Sequence, residues 1–413
     1  MNNDIPKTQI CFSTENQMVN LILIRMLKPQ QVGYFTITNS SKNDKWDNNL
    51  VNVLGNEILI NIPVSDQDVL NIEKLKEIML NKLAEKNLID KQLLWNITGG
   101  QRYFVVAAYD LFRDRVGDVI CYLEGNKNEI TLLRNEEDGI RKLPNITSDI
   151  DITIEEAVKL MGFKEGKAEP DCLIKFKKEA PEFRIKKFDP ENYLTFFEKF
   201  LGEEGLRKFC LQMNRTNDKK DKYLDEFKKL IKENSLDNIW ELLGANKFGS
   251  FGKVFEFMVG AKIFDIISST QKHNISEIAI SREVTFADKK NSDENNTKFY
   301  SIDEFDIAIL TRNGKFIVFE CKTGNMAGDV AKSHRYSTYA IGGVYGLPVL
   351  LVPLTRTEIT DLNESRAEDD IKNLKRAINA AKRAQLEDWS IDEIESNLIQ
   401  KFNLINEENK TEK

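Results

Sequence analysis

Between Asp306 and Lys322 the chain reads D-I-A-I-L-T-R-N-G-K-F-I-V-F-E-C-K, which sets two carboxylates and an ammonium inside two runs that otherwise resemble buried strands. Unpaired buried charge is expensive, so such residues tend to be functional. Two acids and a lysine are a set suited to phosphodiester hydrolysis. A hard divalent cation such as Mg²⁺ or Mn²⁺ takes oxygen ligands and keeps several waters, so paired carboxylates suit it better than thiolates. The cation polarises the scissile phosphate, and a nearby lysine positions water or stabilises the charge growing on phosphorus. Because 30% of the chain is charged, a D…E-x-K spacing by itself is a weak signal, and the apolar flanks are what single this one out.

The elements that must position these groups are two strands and a turn. Phe305 to Leu310 and Phe316 to Phe319 are rich in β-branched and aromatic residues, and Asn313-Gly314 marks a turn between them. A two-residue loop would set Asp306 opposite Cys321 and separate the carboxylates, because directly paired residues share a face. A three-residue loop, Arg312-Asn313-Gly314, with Gly314 as the left-handed residue of a bulge, sets Asp306 opposite Glu320 instead. Lys322 then projects from the same face. If the two acids are to share a metal, the loop must be of this second kind.

A third acid lies upstream. Phe248 to Ser269 is a helical run that is apolar almost all round, with Glu256 at its middle. A buried Glu needs a cation, either a metal or, at a helix edge, Lys253 or Lys262. Glu304, two residues before Asp306, falls on the same strand face as a further ligand or its support.

This order of helix with Glu256, strand with Asp306, turn, then Glu320-Cys321-Lys322 resembles the PD-(D/E)xK restriction-endonuclease-like nucleases. The resemblance implies that Glu256, Asp306 and Glu320 bind metal and that Lys322 is catalytic. Phe305 stands where the family often has proline, which leaves the acid in place. Tyr336 to Pro353 would supply a further helix and a terminal strand of such a core.

Residues 8 to 134 alternate strand signals (Thr8 to Phe12, Gln31 to Ile37, Glu57 to Ile62, Lys91 to Ile97, and Asp118 to Leu123 with a hairpin partner at Glu129 to Arg134) with helix signals (Asn16 to Lys28, Asp66 to Lys86, Gly100 to Arg113). This is a doubly wound α/β pattern, in which ligands sit beyond the carboxyl ends of the strands. The first strand, Thr8 to Phe12, ends in Ser13-Thr14-Glu15-Asn16, which could cap the next helix or bond a ligand. The strand Lys91 to Ile97 leads into Thr98-Gly99-Gly100-Gln101-Arg102, where glycines admit a ligand and a helix N-terminus offers amides to an anion. Neither G-x-G-x-x-G nor a P-loop is present, which disfavours a dinucleotide cofactor or an NTPase.

A strand followed by T-G-G at this place resembles the CARF domain, the Rossmann-like sensor of CRISPR-associated proteins. With the downstream acids, the chain resembles the CARF plus PD-(D/E)xK nucleases of type III systems. That resemblance implies a Rossmann-like CARF domain over residues 1–145 and a restriction-endonuclease-like α/β/α domain, with a helical tail, over 241–413. Between them the chain changes character, with Pro170, Pro181 and Pro190 and a Lys-rich run, so residues 146–240 read as a linker and accessory region with helices, one of them short and ending at a glycine over Thr153 to Gly162. The resemblance also implies a homodimer that binds a cyclic oligoadenylate, most often cyclic tetra-adenylate, across the two-fold axis. The contacting residues would be Ser13, Thr14, Glu15, Asn16, Thr38, Asn39, Thr98, Gly99, Gly100, Gln101 and Arg102. The activity implied is metal-dependent cleavage of DNA or RNA, switched on by the ring. The rival readings are a ligand-independent restriction or repair nuclease and a non-catalytic regulator.

Composition sets the outer limits. With 413 residues, 41% of them hydrophobic, two or three domains with real cores are expected. No apolar run reaches membrane-spanning length and no signal core opens the chain, so the expectation is a cytoplasmic protein without a membrane partner. Five scattered cysteines without a C-x-x-C pair, and two histidines, indicate neither a zinc site nor a disulfide framework. A net charge of −7 does not exclude a nucleic-acid partner, since an acidic metal site is neutralised by its metal. The basic segments Lys175 to Lys187 and Lys372 to Arg383 could track a backbone or be solvated faces. Asn406 to Lys413 has a disordered composition.

Overall fold

The structure is a computed structural model that describes residues 5–38, 43–55, 57–69, 71–124, 129–166, 172–177, 181–183, 190–202, 229, 232–233, 251–270, 273–286, 301–364, 374–402 and 404. Asn39, Cys210, most of the charged span 217–233 and the tail 406–413 lie outside these residues. The chain divides into two compact units: residues 1–164 with 286–292 and 312–314, and residues 165–285 with 293–311 and 315–413.

The first unit runs β1 (Thr8–Phe12), α1 (Met18–Leu27), β2 (Gln31–Thr38), α2 (Asn43–Leu54), β3 (Leu59–Ser65), α3 (Ile72–Glu85), β4 (Leu93–Asn96), α4 (Arg102–Arg113), β5 (Val119–Glu124), β6 (Glu129–Glu136), β7 (Gly139–Thr147) and α5 (Ile154–Leu160). Its sheet has the order β3-β2-β1-β4-β5-β6-β7. The first five strands of that order pair in parallel, and β6 and β7 add antiparallel pairs. The chain leaves β1 toward β2 on one side and reaches β4 on the other, so β1 and β4 flank a topological switch point, where such sheets bind ligands. Phe12, Phe35 and Phe104 stack at the heart of this core, with Phe12 and Phe104 ring centroids 5.4 Å apart.

Sequence reading places most of these elements but misses α2 and β7. The α2 stretch, NDKWDNNLVNVL, is too polar to announce an apolar face. β7 is an exposed strand at one end of the sheet and holds Pro144, as strands at sheet edges do. The helix expected over Thr153 to Gly162 is α5, started by a Thr153–Glu156 capping box and followed by Gly162 at φ +83°.

The second sheet draws on β9 (Cys172–Phe176), β10 (Pro181–Phe183), β11 (Ile275–Phe286), β12 (Ser301–Thr311), β13 (Phe316–Cys321), β14 (Gly346–Val352) and β15 (Glu387–Ser390), in the order β10-β9-β11-β12-β13-β14-β15. β8 (Phe163–Glu165) precedes them, and the helices are α6 (Pro190–Gly202), α7 (Phe251–Ser269), α8 (Gly328–Gly342), α9 (Arg356–Asn363), α10 (Lys375–Ala384) and α11 (Ile394–Phe402). Val349 and Leu351 pack into the core that holds α6, α7 and α11, whereas Leu350 and Val352 pack toward α8, α9 and α10. Alternate residues of one strand thus serve two cores, and helices cover both faces.

The span read as connector and accessory helices contributes β9, β10 and α6 to the second sheet and its core. Its strands are short and interrupted by Pro181 and charge, which hides their period. The strand ending at Pro353 is interior, because β15 pairs in parallel outside it. Among the described residues no helix is long and apolar enough to cross a membrane. Cys11, Cys121, Cys172 and Cys321 are buried free thiols.

Candidate functional site

The hairpin β12–β13 has the bulged register. Ile307 pairs with Phe319, Ala308 with Val318, Ile309 with Ile317 and Leu310 with Phe316. Continuing that register by one position sets Asp306 opposite Glu320. The turn is closed by the Thr311 amide donating to the Lys315 carbonyl at 3.0 Å, which leaves Arg312-Asn313-Gly314 as the three-residue loop. Gly314 takes φ +82°, the left-handed conformation that costs an L side chain about 1–2 kcal/mol.

Around this hairpin the structure gathers acids in a nearly closed environment: Glu256, Asp306 and Glu320 are only 8%, 7% and 5% exposed. Asp306 accepts a hydrogen bond from the Cys321 amide at 2.7 Å. The Lys322 ammonium ion-pairs with Glu320. From α7, Lys253 lies 2.9 Å from Glu256 and 2.6 Å from Glu304, while the Ser281 hydroxyl donates to the same Glu304 oxygen at 2.9 Å. Lys262, the other cation that sequence offered to Glu256, pairs with Asp265 instead. On the far side of Glu320 sits His334 of α8, its Nδ1 3.6 Å from the carboxylate and its Nε2 3.1 Å from the Val318 carbonyl.

The electrostatics follow from burial and crowding. Burial, then the Asp306 charge, pushes Glu256 up to about 8. Burial, then the Glu320 charge, pushes Asp306 up to about 7. Glu320 is raised by burial against the opposing pull of Lys322. Burial works against the Lys322 ammonium, yet Asp306 and Glu320 outweigh it and hold that lysine above its ordinary range. His334 is pushed down to about 4 by burial and is neutral at pH 7. These are acids held close together with too little counter-charge, the situation a bound cation relieves.

Among the described residues no three His, Cys, Asp or Glu side chains are set so that they could hold a metal ion as they stand. The two layers explain this. Asp306 and Glu320 belong to strands, whereas Glu256 comes from α7, and Lys253 and Lys322 supply the counter-charge between them. Sequence reading missed His334, Ser281 and Asp303 around the acids. Histidine on a half-polar helix and serine within a strand carry no positional signal.

In the first unit, the loops after β1 and β4 come together. A Cβ on Gly99 would lie 3.3 Å from the Thr14 methyl, and one on Gly100, at φ +104°, would lie 2.5 Å from the Phe12 Cβ. Only glycine permits this approach. Asn16 accepts from the Met18 amide at 3.1 Å and so starts α1. Thr98 is occupied, its hydroxyl accepting from the Leu123 amide at 2.9 Å and its own amide donating to Asn96. Gln101 precedes α4 without a side-chain cap, and Gln101, Arg102 and Glu15 are exposed. Thr38, after β2, turns its hydroxyl to the Val64 carbonyl at 3.2 Å, toward β3 rather than toward β1.

Beneath these loops lies a buried polar network. Asn96 donates to Asn20 at 2.8 Å, Asn20 to Gln17 at 2.8 Å, Gln17 to the Tyr34 hydroxyl, and Tyr34 to Asp47 at 2.7 Å. The Ser13 hydroxyl donates to the same Asp47 oxygen at 2.6 Å. Asn20, buried in an otherwise apolar helix, and Gln17, buried just before it, are a signal available in the sequence; Asp47, in a polar helix, is not.

Residues 8–156 match the family model described as the Card1 CARF domain. Over 97% of this chain and 99% of the other, the structure is similar to protein VC1899 from Vibrio cholerae, at TM-score 0.64 and 15% identity. It is also similar to Can2 from Sulfobacillus thermosulfidooxidans, solved in complex with cyclic tetra-adenylate, at TM-score 0.55 and 17% identity over 91% of this chain and 99% of that one. No curated protein matches the sequence. At these identities the likenesses concern the fold: a mixed α/β chain whose first unit has the Rossmann-like CARF architecture.

Proposed function

We propose that this chain is a metal-dependent endonuclease whose activity is switched on when its first unit binds a cyclic oligoadenylate, within type III CRISPR defence. The observation that carries the nuclease half is the bulged β12–β13 hairpin, which aligns Asp306 with Glu320, sets Lys322 against Glu320 and leaves Asp306 and Glu256 charge-starved. The donor set is all carboxylate oxygen, buried and short of positive charge, and fits a hard cation such as Mn²⁺ or Mg²⁺. Asp306 and Glu320 would hold it, and Glu256 from α7 would join as a third acid only by shifting toward them, since no three acids among the described residues are set to share a cation as they stand. Bound there, the cation would supply Lewis-acid polarisation of a DNA or RNA phosphodiester. Lys322 orients Glu320 and offers a positive charge to the developing oxyanion. The Cys321 amide fixes Asp306.

The sensing half rests on the CARF family match and on the switch-point geometry, where Ser13 to Asn16 and Thr98 to Arg102 meet beside the N-terminus of α4. Can2, similar in fold, is a structure holding cyclic tetra-adenylate, which makes that ring the first ligand to try. A symmetric ring suits two copies related by a two-fold axis. The exposed Tyr103, Val106 and Tyr109 of α4 give such copies an apolar face to share. For the ring to act as a switch it must favour the cutting arrangement, because equal affinity for both states shifts nothing. The test is cleavage of single-stranded and supercoiled nucleic acid with Mn²⁺, with and without cyclic tri-, tetra- and hexa-adenylate. Equal cleavage without any ring refutes the gating, and no cleavage under any condition refutes the nuclease.

A further inference from the structure

We infer that Asp47 decides which chemical group of the ligand can meet Ser13: a hydrogen-bond donor, and not a phosphate oxygen. This rests on the reading that the first unit binds a cyclic oligoadenylate.

A hydroxyl carries one proton and two lone pairs, whereas a carboxylate only accepts. The Ser13 and Tyr34 protons both go to the same Asp47 oxygen, at 2.6 and 2.7 Å. Ser13 is buried at the carboxyl end of β1, beside the switch point. What it still presents to a ligand is lone pairs.

The direction of these bonds is fixed from behind. The Asn20 amide donates both to the Phe12 carbonyl and to Gln17, and its own oxygen accepts from Asn96 at the end of β4. Gln17 then donates to Tyr34, which turns the phenol proton toward the Asp47 carboxylate. Turning Ser13 toward an acceptor on a ligand would remove one of the donors that hold the half-buried Asp47 carboxylate. That loss is costly. A phosphate oxygen placed on Ser13 would face lone pairs with a carboxylate immediately behind them. The complementary partner is a donor, and a cyclic oligoadenylate has two kinds: the ribose 2′-hydroxyl and the adenine amino group. Its phosphates are left to the β4–α4 loop, where Gly99, Gly100 and the α4 N-terminus offer backbone amides beside Arg102.

The experiment measures binding of the full chain by calorimetry to cyclic tetra-adenylate and to two analogues that each swap a donor for an acceptor, the 2′-fluoro ring and the ring with hypoxanthine in place of adenine. In the wild type, one analogue should bind at least about tenfold more weakly than the parent, the size of a hydrogen bond replaced by an acceptor clash. In Asp47→Ala, Ser13 regains its proton and can donate, so the same penalty should shrink to about threefold or less. Ser13→Ala removes the lone pairs while keeping the Tyr34–Asp47 bond, and should abolish the penalty as well. The inference is overturned if both analogues bind the wild type as tightly as the parent, or if the penalty survives in both variants. Failure of the wild type to bind any parent ring is a different result, which overturns the ligand reading itself.

Discussion

Replacing Asp306 by Asn is expected to change how the stability of the metal-free protein depends on pH. Burial and the Glu320 charge raise the Asp306 carboxyl from 3.8 to about 7. Between those values the folded chain keeps a proton that the unfolded chain releases, so stability falls as pH rises through that window and levels off above it. At about 1.4 kcal/mol per unit, the contribution amounts to at most about 4 kcal/mol, fully present in acid and lost by pH 8. Asn still accepts from the Cys321 amide but has no proton to lose. In urea unfolding with a chelator, the variant should therefore gain on the wild type by about 1 kcal/mol per pH unit from pH 5 to 7, then run parallel to it. Wild-type and variant curves that stay parallel from pH 5 to 8.5 would show that Asp306 is not a buried, charge-starved acid, and would remove the main support for a cation site.

The same site makes a second expectation direct: Mn²⁺ at about one hundred times its dissociation constant should add about 2.7 kcal/mol to wild-type stability at pH 8. A thermal midpoint that does not move with Mn²⁺ refutes cation binding. Lys322→Ala should lower cleavage by about 100-fold or more if its charge meets the oxyanion, and cleavage at the wild-type rate would make the lysine structural only. Gly100→Ala forces an L side chain to φ +104° and against the Phe12 Cβ, at a cost of about 1–3 kcal/mol, readable as a lowered thermal midpoint and weaker ring binding. Introducing Glu at Tyr103 and Tyr109 together should turn a sedimenting dimer into a monomer; an unchanged dimer means the copies meet elsewhere.

Local chemistry made much of this fold legible. The alternation of the first unit is carried by runs whose period survives any context, and β1, α1, β2 and α4 fall close to where those runs predict. The β12–β13 register could be stated in advance because a hairpin's register follows from its loop length, and only a glycine at position 314 comfortably takes the left-handed residue of a three-residue turn. Elements whose period is blurred escaped. α2 is polar along its length, β7 is an exposed strand at a sheet edge, and the short β9 and β10 look like a connector until β11 pairs with β9.

The sequence by itself determined which residue types stand on which face of a strand, because a period of two and a turn of fixed length leave little choice. That was enough to align Asp306, Glu320 and Lys322. Only the tertiary structure decided what surrounds them, since Lys253 meets Glu304 51 residues away, and His334 reaches Glu320 from a helix of another layer. The same holds in the first unit, where Asp47 takes the protons of Ser13 and Tyr34 across 34 and 13 residues. Charge and hydrogen-bond direction depend on distances of a few ångströms between segments that sequence order does not relate, and these distances set how an acid titrates and what a hydroxyl can offer.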